Sequence, residues 1–422
     1  MRRRFGGAEL LLGPVLVLCG CVSVKASSPL AKSLAGYIRP FQQWSGLSPR
    51  RTLEVSVVAP AEFERIFREQ IPCASSSRSA SRLTAFGIRP LDTSDSLEIG
   101  LAFSSLQGAV VVSHRSRDQI LVRPGGDLVP DFLTELASLS LSKLGWAQTN
   151  QITPDRCWSA AAFRKGTSEL FGLTGALHLK EAIPAERMVM LPPESFEMVL
   201  RGMSSFADEH AVQMTPYSKR LRSFYSEDSL RFAEDLARKG GLDILRQAAK
   251  HPPVSSNQLL HLENYLSGKQ PIPIKPPILP AGWTVLESGQ LGELGILEMF
   301  ASCPSLEKKK LDGWAGDQYT VAEDRTHHRA LLWATAWDSA GEAAHFAEHL
   351  GIRVECGDHS MIANDEVFRG DYRIKRRRER VAFVRGLPDK QSLPMAESLF
   401  DLVGDPLPNA PPFDLNTRRP IQ

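Results

Sequence analysis

Chemistry in this chain is to be sought first at Glu135. It lies in Asp131-Phe132-Leu133-Thr134-Glu135-Leu136-Ala137-Ser138-Leu139-Ser140-Leu141. There Leu133, Leu136, Ala137, Ser140 and Leu141 follow the i, i+3, i+4 rule of a helix, with Ser140 a small member of the apolar face. Thr134 and Ser138 stand four residues apart on one face, with the carboxylate between them. Two imidazoles at such positions grip zinc, the glutamate between them is a general base, and a later helix gives a third ligand. Neutral hydroxyls do not hold zinc where imidazoles would. Taken alone, Thr-Glu-Leu-Ala-Ser has no value as a motif, and its surroundings must decide.

Other residues are weaker candidates. His345-Phe346-Ala347-Glu348-His349 has histidines at i, i+4, and Cys356, Asp358 and His359 follow. That spacing can bind metal on a helix, but a solvated helix face is the plainer reading. His114 reads as a turn residue, and His327-His328 lies in a charged turn. Lys375-Arg376-Arg377-Arg378 could touch anionic lipid, yet Glu379 interrupts it and strands flank it, so a solvated hairpin is preferred. Trp314 and Trp337 read as core anchors. Neither a Gly-x-Ser-x-Gly elbow nor a phosphate-binding Gly-rich loop is present.

The elements that must position Glu135 belong to a chain of 422 residues, 42% hydrophobic, long enough for two or three domains. A net charge of +2 gives no global basicity that would point to nucleic acid. Arg2, Arg3 and Arg4 precede a nine-residue apolar run, Leu10 to Leu18. The run is too short to span a bilayer and suits a signal peptide over residues 1–20. Leu18-Cys19-Gly20-Cys21 then looks like a bacterial lipobox, with Cys21 as the acylated first residue. An ordinary cleaved signal or an uncleaved anchor is the alternative. Loss of residues 1–20 removes three Arg and one Glu and leaves no net charge. Cys73, Cys157, Cys303 and Cys356 remain, scattered and without metal spacing; export permits disulfides, and bridges and buried thiols both stay open.

Residues 21–48 read as a tether rich in Ser, Ala and Gly. Thr52 to Val58 alternates as a strand, and Pro60 opens a helix with Phe63, Ile66 and Phe67 on its core side. Gln107 to Val112 and Gln119 to Val122 read as strands joined by a hairpin turn. Helices are expected over Val129–Leu144 and Asp155–Leu179. Ser226-Glu227-Asp228 should cap another, stopped by Gly240-Gly241. Pro271 to Pro280 holds five prolines in ten residues, a stiff extended linker over 269–281. Beyond it, 282–403 reads as a second unit. Its strands fall near Gln318–Val321, Ala330–Trp337 and Val381–Arg385, and its helices near Leu291–Ala301, Ala340–Leu350 and Ser392–Leu402. The Pro-rich tail 404–422 is expected to be disordered or draped on the surface.

Several stretches now line up with one family. The chain resembles exported bacterial proteins of the gluzincin zinc metallopeptidase class. Those carry a Gly-Phe-Tyr-Asp hairpin, a His-Glu-Leu-Thr-His-Ala helix and an Ala-Leu-Val-Glu-Gly-Asp-Ala helix. A Pro-Pro-x-Ser-Thr-Glu-Gln-x-Leu-His-Pro-Glu-Lys-Tyr segment follows. The matching residues here are Gly108-Ala109-Val110-Val111, Thr134 to Leu139, Ala162-Phe163-Arg164-Lys165-Gly166-Thr167-Ser168, and Pro252 to Tyr265. Gly313 to Tyr319 and Trp337-Asp338-Ser339 are similar to the family's second unit. The resemblance spans roughly residues 50 to 400. The Pro-Pro to Tyr and Gly-Trp-x-Gly-Asp segments are its most specific parts.

The departures set the expectation. Thr134 and Ser138 replace both zinc histidines, and Lys165 stands where the resemblance places the third ligand, a glutamate. An ammonium repels a dication and cannot ligate while protonated. A shifted alignment would offer Glu169, still a poor site without the histidines. The resemblance therefore implies an α+β protein: a mainly helical metallopeptidase-like domain with a small β-sheet (49–268), then a smaller α+β domain. The expected function is a lipid-anchored, non-catalytic scaffold for binding or structure in the bacterial cell envelope, facing the periplasm or exterior. An active hydrolase or peptidase with a rearranged metal site is the alternative, and the reading leans against an enzyme. No cofactor and no metal are expected. Membrane lipid is the expected partner through Cys21, a protein or peptide partner is left open, and nucleic acid is not expected. The pocket is expected to hold an internal cation, with Lys165 pointing at Glu135 and hydrogen bonds from Thr134 and Ser138.

Overall fold

The computed structural model describes residues 24–26, 28–49, 52–69, 73, 85–86, 109–113, 117–124, 128–142, 153–182, 184, 187, 216–301, 303–306, 311–356, 372–409 and 411–412. The signal segment, Cys21, His114, Asp358 and His359 lie outside them. The fold is α+β.

The first sheet runs in the order β1 (Val24–Ala26), β2 (Thr52–Val57), β4 (Arg117–Val122), β3 (Ala109–Ser113). Its first two pairings are parallel and the β3–β4 hairpin is antiparallel. Two helices, α1 (Pro29–Ala35) and α2 (Ile38–Ser45), separate β1 from β2. The stretch expected to be a tether is therefore folded from Val24 onward. Its composition hid a core-facing stripe: Ala31, Leu34, Ile38, Phe41 and Leu47 are buried. After α3 (Pro60–Glu69) and the hairpin come α4 (Leu128–Leu141) and the long α5 (Pro154–Glu181). These two form the most extensive helix contact of the molecule. Thr153 caps α5, accepting the Arg156 N–H, with Pro154 at its first turn.

α4 and α5 pack backbone to backbone because glycines permit it. A Cβ at Gly172 would lie 2.1 Å from Thr134 Oγ1 and 2.8 Å from the Pro130 carbonyl oxygen. On the other side of α5, a Cβ at Gly166 would lie 2.0 Å from the Ser229 carbonyl oxygen. That neighbour belongs to α7 (Ser229–Ala248), which follows α6 (Pro216–Ser223) through a π-helical turn, Phe224–Asp228. The expected capped start at Ser226 is thus a through-going helix with a widened turn. Gly240 and Gly241 leave helical angles, as their sequence suggests, but helix resumes to Ala248. Two short helices, α8 (Ser256–Leu260) and α9 (Leu262–Leu266), complete this half.

The second sheet is antiparallel in the order β5 (Trp283–Gly289), β6 (Trp314–Asp324), β7 (Arg329–Trp337), β9 (Arg380–Arg385), β8 (Tyr372–Arg377). Its two faces alternate by residue, as pleating requires. Tyr319, Val321, Leu331, Trp333, Val381 and Phe383 join the main core, whereas Ala330, Leu332, Ala334, Ala382 and Val384 pack under α12 (Asp389–Ser398). α10 (Gly292–Ala301) and α11 (Ala340–Val354) cover the first face. Trp314 and Trp337 are core residues.

The main core is continuous from Ala31 to Phe383 and crosses the expected domain boundary. The Pro-rich stretch is a strap against the sheet. The Ile272 N–H donates to the Ala315 carbonyl and the Lys275 N–H to that of Leu402, and Ile274 bridges Val403. Composition marked its extended backbone, but could not show that its N–H groups are used. Two disulfides, Cys73–Cys157 and Cys303–Cys356, decide the question left open for the cysteines.

Candidate functional site

Glu135 sits on the side of α4 that meets β3, the last strand of the sheet among the described residues, where its carboxylate accepts the Val111 N–H. Burial pushes this carboxyl up from 4.5 to about 7. Lys165 is the strongest opposing influence, followed by Arg164, while Asp131 adds to the rise. The fold thus brings Glu135 and Lys165 into one electrostatic neighbourhood. It does not pair them. The Lys165 ammonium donates to Glu169, one turn further along α5, at 2.8 Å, with both side chains about nine-tenths buried. Burial is the largest influence and works against the Lys165 charge, but Glu169, Tyr225 and Asp131 together outweigh it and raise its pKa.

The expected Lys165–Glu135 contact therefore needs correction: an i, i+4 partner on the same helix captures the ammonium. The hydroxyls of Thr134 and Ser138 were expected to support it. Among the described residues neither is hydrogen-bonded to Glu135 or Lys165. Thr134 is buried against Gly172, and Ser138 is half-buried. Tyr225, on the π-helical turn, completes the group. Burial pushes its phenol up, opposed by Arg164 and Lys165.

A zinc ion does not fit this donor set. Position 134 is filled by a hydroxyl wedged against α5, and position 165 by an ammonium that already has its anion. Among the described residues no three His, Cys, Asp or Glu side chains are placed to hold a metal. What the cluster offers is a carboxyl pushed up to about 7, beside a fixed ion pair and a half-buried phenol.

The remaining candidates disperse. His345 is exposed on α11, and His349 packs edge-on to Phe300. His327 and His328 meet Glu323 and Asp324 in the β6–β7 turn. Lys375 to Arg378 form the β8–β9 hairpin. Lys375 and Arg377 pair with Glu397, and Arg373 with Asp389.

A second polar cluster was not singled out from sequence. It joins the two sheets' halves through the Pro252–Tyr265 segment. Both oxygens of Asp155, in the first turn of α5, accept the Ser256 N–H, at 3.1 and 3.2 Å. Ser256 Oγ accepts from the Leu294 N–H at 3.0 Å. Asn257 donates to Glu293 at 2.8 Å, and His261 Nε2 lies 2.9 Å from the same carboxylate. Asp317 accepts the Leu291 and Gly292 N–H groups and the Trp333 indole. Gly292 has φ +75°, and a Cβ there would strike Asp155. Burial pushes Asp155 up to about 8 and Asp317 to about 6. The Glu293 hydrogen bond raises His261 against the effect of burial. The spacing of this segment was visible as a motif. Its partners, 36 and 101 residues away along the chain, were not.

Residues 284–396 match a family described as a domain of unknown function, DUF8575. The match runs from β5 into α12. No curated protein and no solved structure gives a significant match to the chain.

Proposed function

We propose that this chain is a lipid-anchored protein of the bacterial cell envelope, built on a gluzincin-like metallopeptidase scaffold that has lost its metal and serves binding or structure. The observation that carries the reading is the Lys165–Glu169 ion pair. At the place where the resemblance puts a zinc-ligating carboxylate, the chain supplies its own cation and neutralises it within the same helix. Thr134, at a histidine position, serves instead as a packing residue between α4 and α5. The two disulfides suit an oxidising, exported compartment. Among the described residues no helix is long and apolar enough to cross a membrane; in this reading the attachment is through Cys21.

A second reading, a hydrolase without the metal, is favoured by one feature: burial pushes the Glu135 carboxyl up to about 7, where a general base is effective. Activity separates the readings, while metal analysis tests the loss of zinc that both assume. Metal analysis of the purified protein is expected to find no stoichiometric zinc, and a chelator no effect on stability. Peptidase activity that disappears in Glu135→Gln would overturn the scaffold reading. Mass spectrometry of the mature N-terminus is expected to find acylated Cys21; an unmodified N-terminus elsewhere would remove the anchor.

A further inference from the structure

Residues 22–53 contain five Lys and Arg and no Asp or Glu; the first acid after Cys21 is Glu54. Lys25, Lys32 and Arg39 are exposed, and none enters an ion pair among the described residues. Gly36 (φ −59°, ψ −25°) and Tyr37 (φ −80°, ψ −15°) keep right-handed helical angles between α1 and α2. The stripes of the two helices therefore run on through the bend. Lys32, Gly36, Arg39 and Gln43, at i, i+4, i+7 and i+11, are all exposed. Ala31, Leu34, Ile38 and Phe41 are buried on the opposite side. In the same segment Val24 and Leu30 are large hydrophobics left 37% and 36% exposed, but helical spacing turns Leu30 away from the basic stripe and toward the buried side.

Covalent geometry adds a constraint if Cys21 carries lipid, which this inference takes from the proposal above. Three residue steps separate Cys21 from Val24, and an extended chain covers at most about 11 Å in three steps. The folded body then cannot hang away from the bilayer on a tether.

We propose that the β1–α1–α2 face is a docking surface for anionic phospholipid headgroups, which holds the body against the bilayer beside its anchor. Charge and chain length support the same partner. Each Lys or Arg close to an anionic surface is attracted to it, and a basic patch reinforces a lipid anchor. The more conspicuous basic run on the β8–β9 hairpin is the poorer candidate, because Arg373, Lys375 and Arg377 face Asp389, Glu397 and Asp401.

The test uses the mature chain with Cys21→Ser, free of acyl groups, and vesicles of phosphatidylglycerol with phosphatidylethanolamine or of phosphatidylcholine alone. Co-sedimentation is expected with the anionic vesicles only. It should vanish near about 0.5 M salt, where screening acts within about 4 Å. Lys25→Gln, Lys32→Gln and Arg39→Gln together should weaken it on the order of 100-fold, at roughly 5-fold per charge. Their exposure predicts an unchanged thermal midpoint, which keeps a folding defect from imitating the result. Equal binding to both vesicle types, undiminished binding by the triple variant, or loss only in an Arg373→Gln/Arg376→Gln control would overturn the proposal. An unacylated mature N-terminus would remove the anchor and leave the vesicle result standing as an independent measure of this face.

Discussion

Lys165 and Glu169 are side chains whose worth depends on staying together. Both are about nine-tenths buried. Lys165→Ala strands the Glu169 carboxylate and is expected to cost about 3–5 kcal/mol. Lys165→Met with Glu169→Leu should recover most of that loss, since a buried pair and an apolar pair of similar volume are often equivalent. Urea midpoints of the two single variants and the double variant measure it; additive losses would place the two residues apart. Glu135 behaves oppositely. Its proton is held more tightly folded than unfolded, between 4.5 and about 7. Its ionisation therefore removes stability as pH rises through that window. Glu135→Gln should leave stability unchanged near pH 4 and raise it above pH 7, by at most about 3 kcal/mol. A pH series of thermal midpoints for the variant and parent checks the sign. The chain's sequence made Glu135 and Lys165 legible as candidate site residues. It also displayed Glu169 four residues after Lys165, but which carboxylate wins the ammonium depends on how α4 sits beside α5.

At the scale of elements, the glycines of α5 set that relation. Gly172→Ala and Gly166→Ala place a Cβ against backbone of α4 and of α7. Backbone cannot give way like the end of a flexible side chain, so each is expected to destabilise by about 1–3 kcal/mol. Thr134→Ala should rescue Gly172→Ala only in part, because the Pro130 carbonyl and the Thr134 N–H remain in the way. Full rescue in a double-variant unfolding experiment would mean that only the hydroxyl enforces the glycine. The same packing limits the introduction of a zinc-binding triad. Thr134→His with Ser138→His and Lys165→Glu is expected to lose stability without gaining stoichiometric zinc, measured by calorimetry and metal analysis. α4 and α5 were legible because their apolar residues keep helical spacing over several turns. α1 and α2 were not, since each is short and the stripe crosses Gly36 and Pro40. Their helicity depends on burying Phe41 against Gly175 of α5, which no local propensity records.

For the whole molecule, the buried acids at the joint set a pH dependence. Asp155, at about 8, and Asp317, at about 6, hold protons more tightly folded than unfolded. His261, raised by Glu293, loses its contribution as it deprotonates at higher pH. All three shifts, with that of Glu135, act in the same direction, so stability should fall from about pH 5 to about pH 8. A thermal midpoint that is flat or rising over this range would show the joint to be wetter than it is here. The disulfides close spans of 84 and 53 residues, and removing either should cost about 2–5 kcal/mol. By itself the sequence determined the α+β class, the strands and long helices with strong periodicity, the short apolar run before Cys21 and the absence of zinc-ligating side chains at positions 134, 138 and 165. These are properties of residue type and local spacing. The tertiary structure alone decided that the Pro-rich strap lies on one continuous core, that four cysteines form two bridges, that Asp155 meets Ser256, and that Lys165 faces Glu169. Each of these is a contact whose partner competes with others in space. The winner is fixed by how close two backbones approach, and that distance is not written in any one segment.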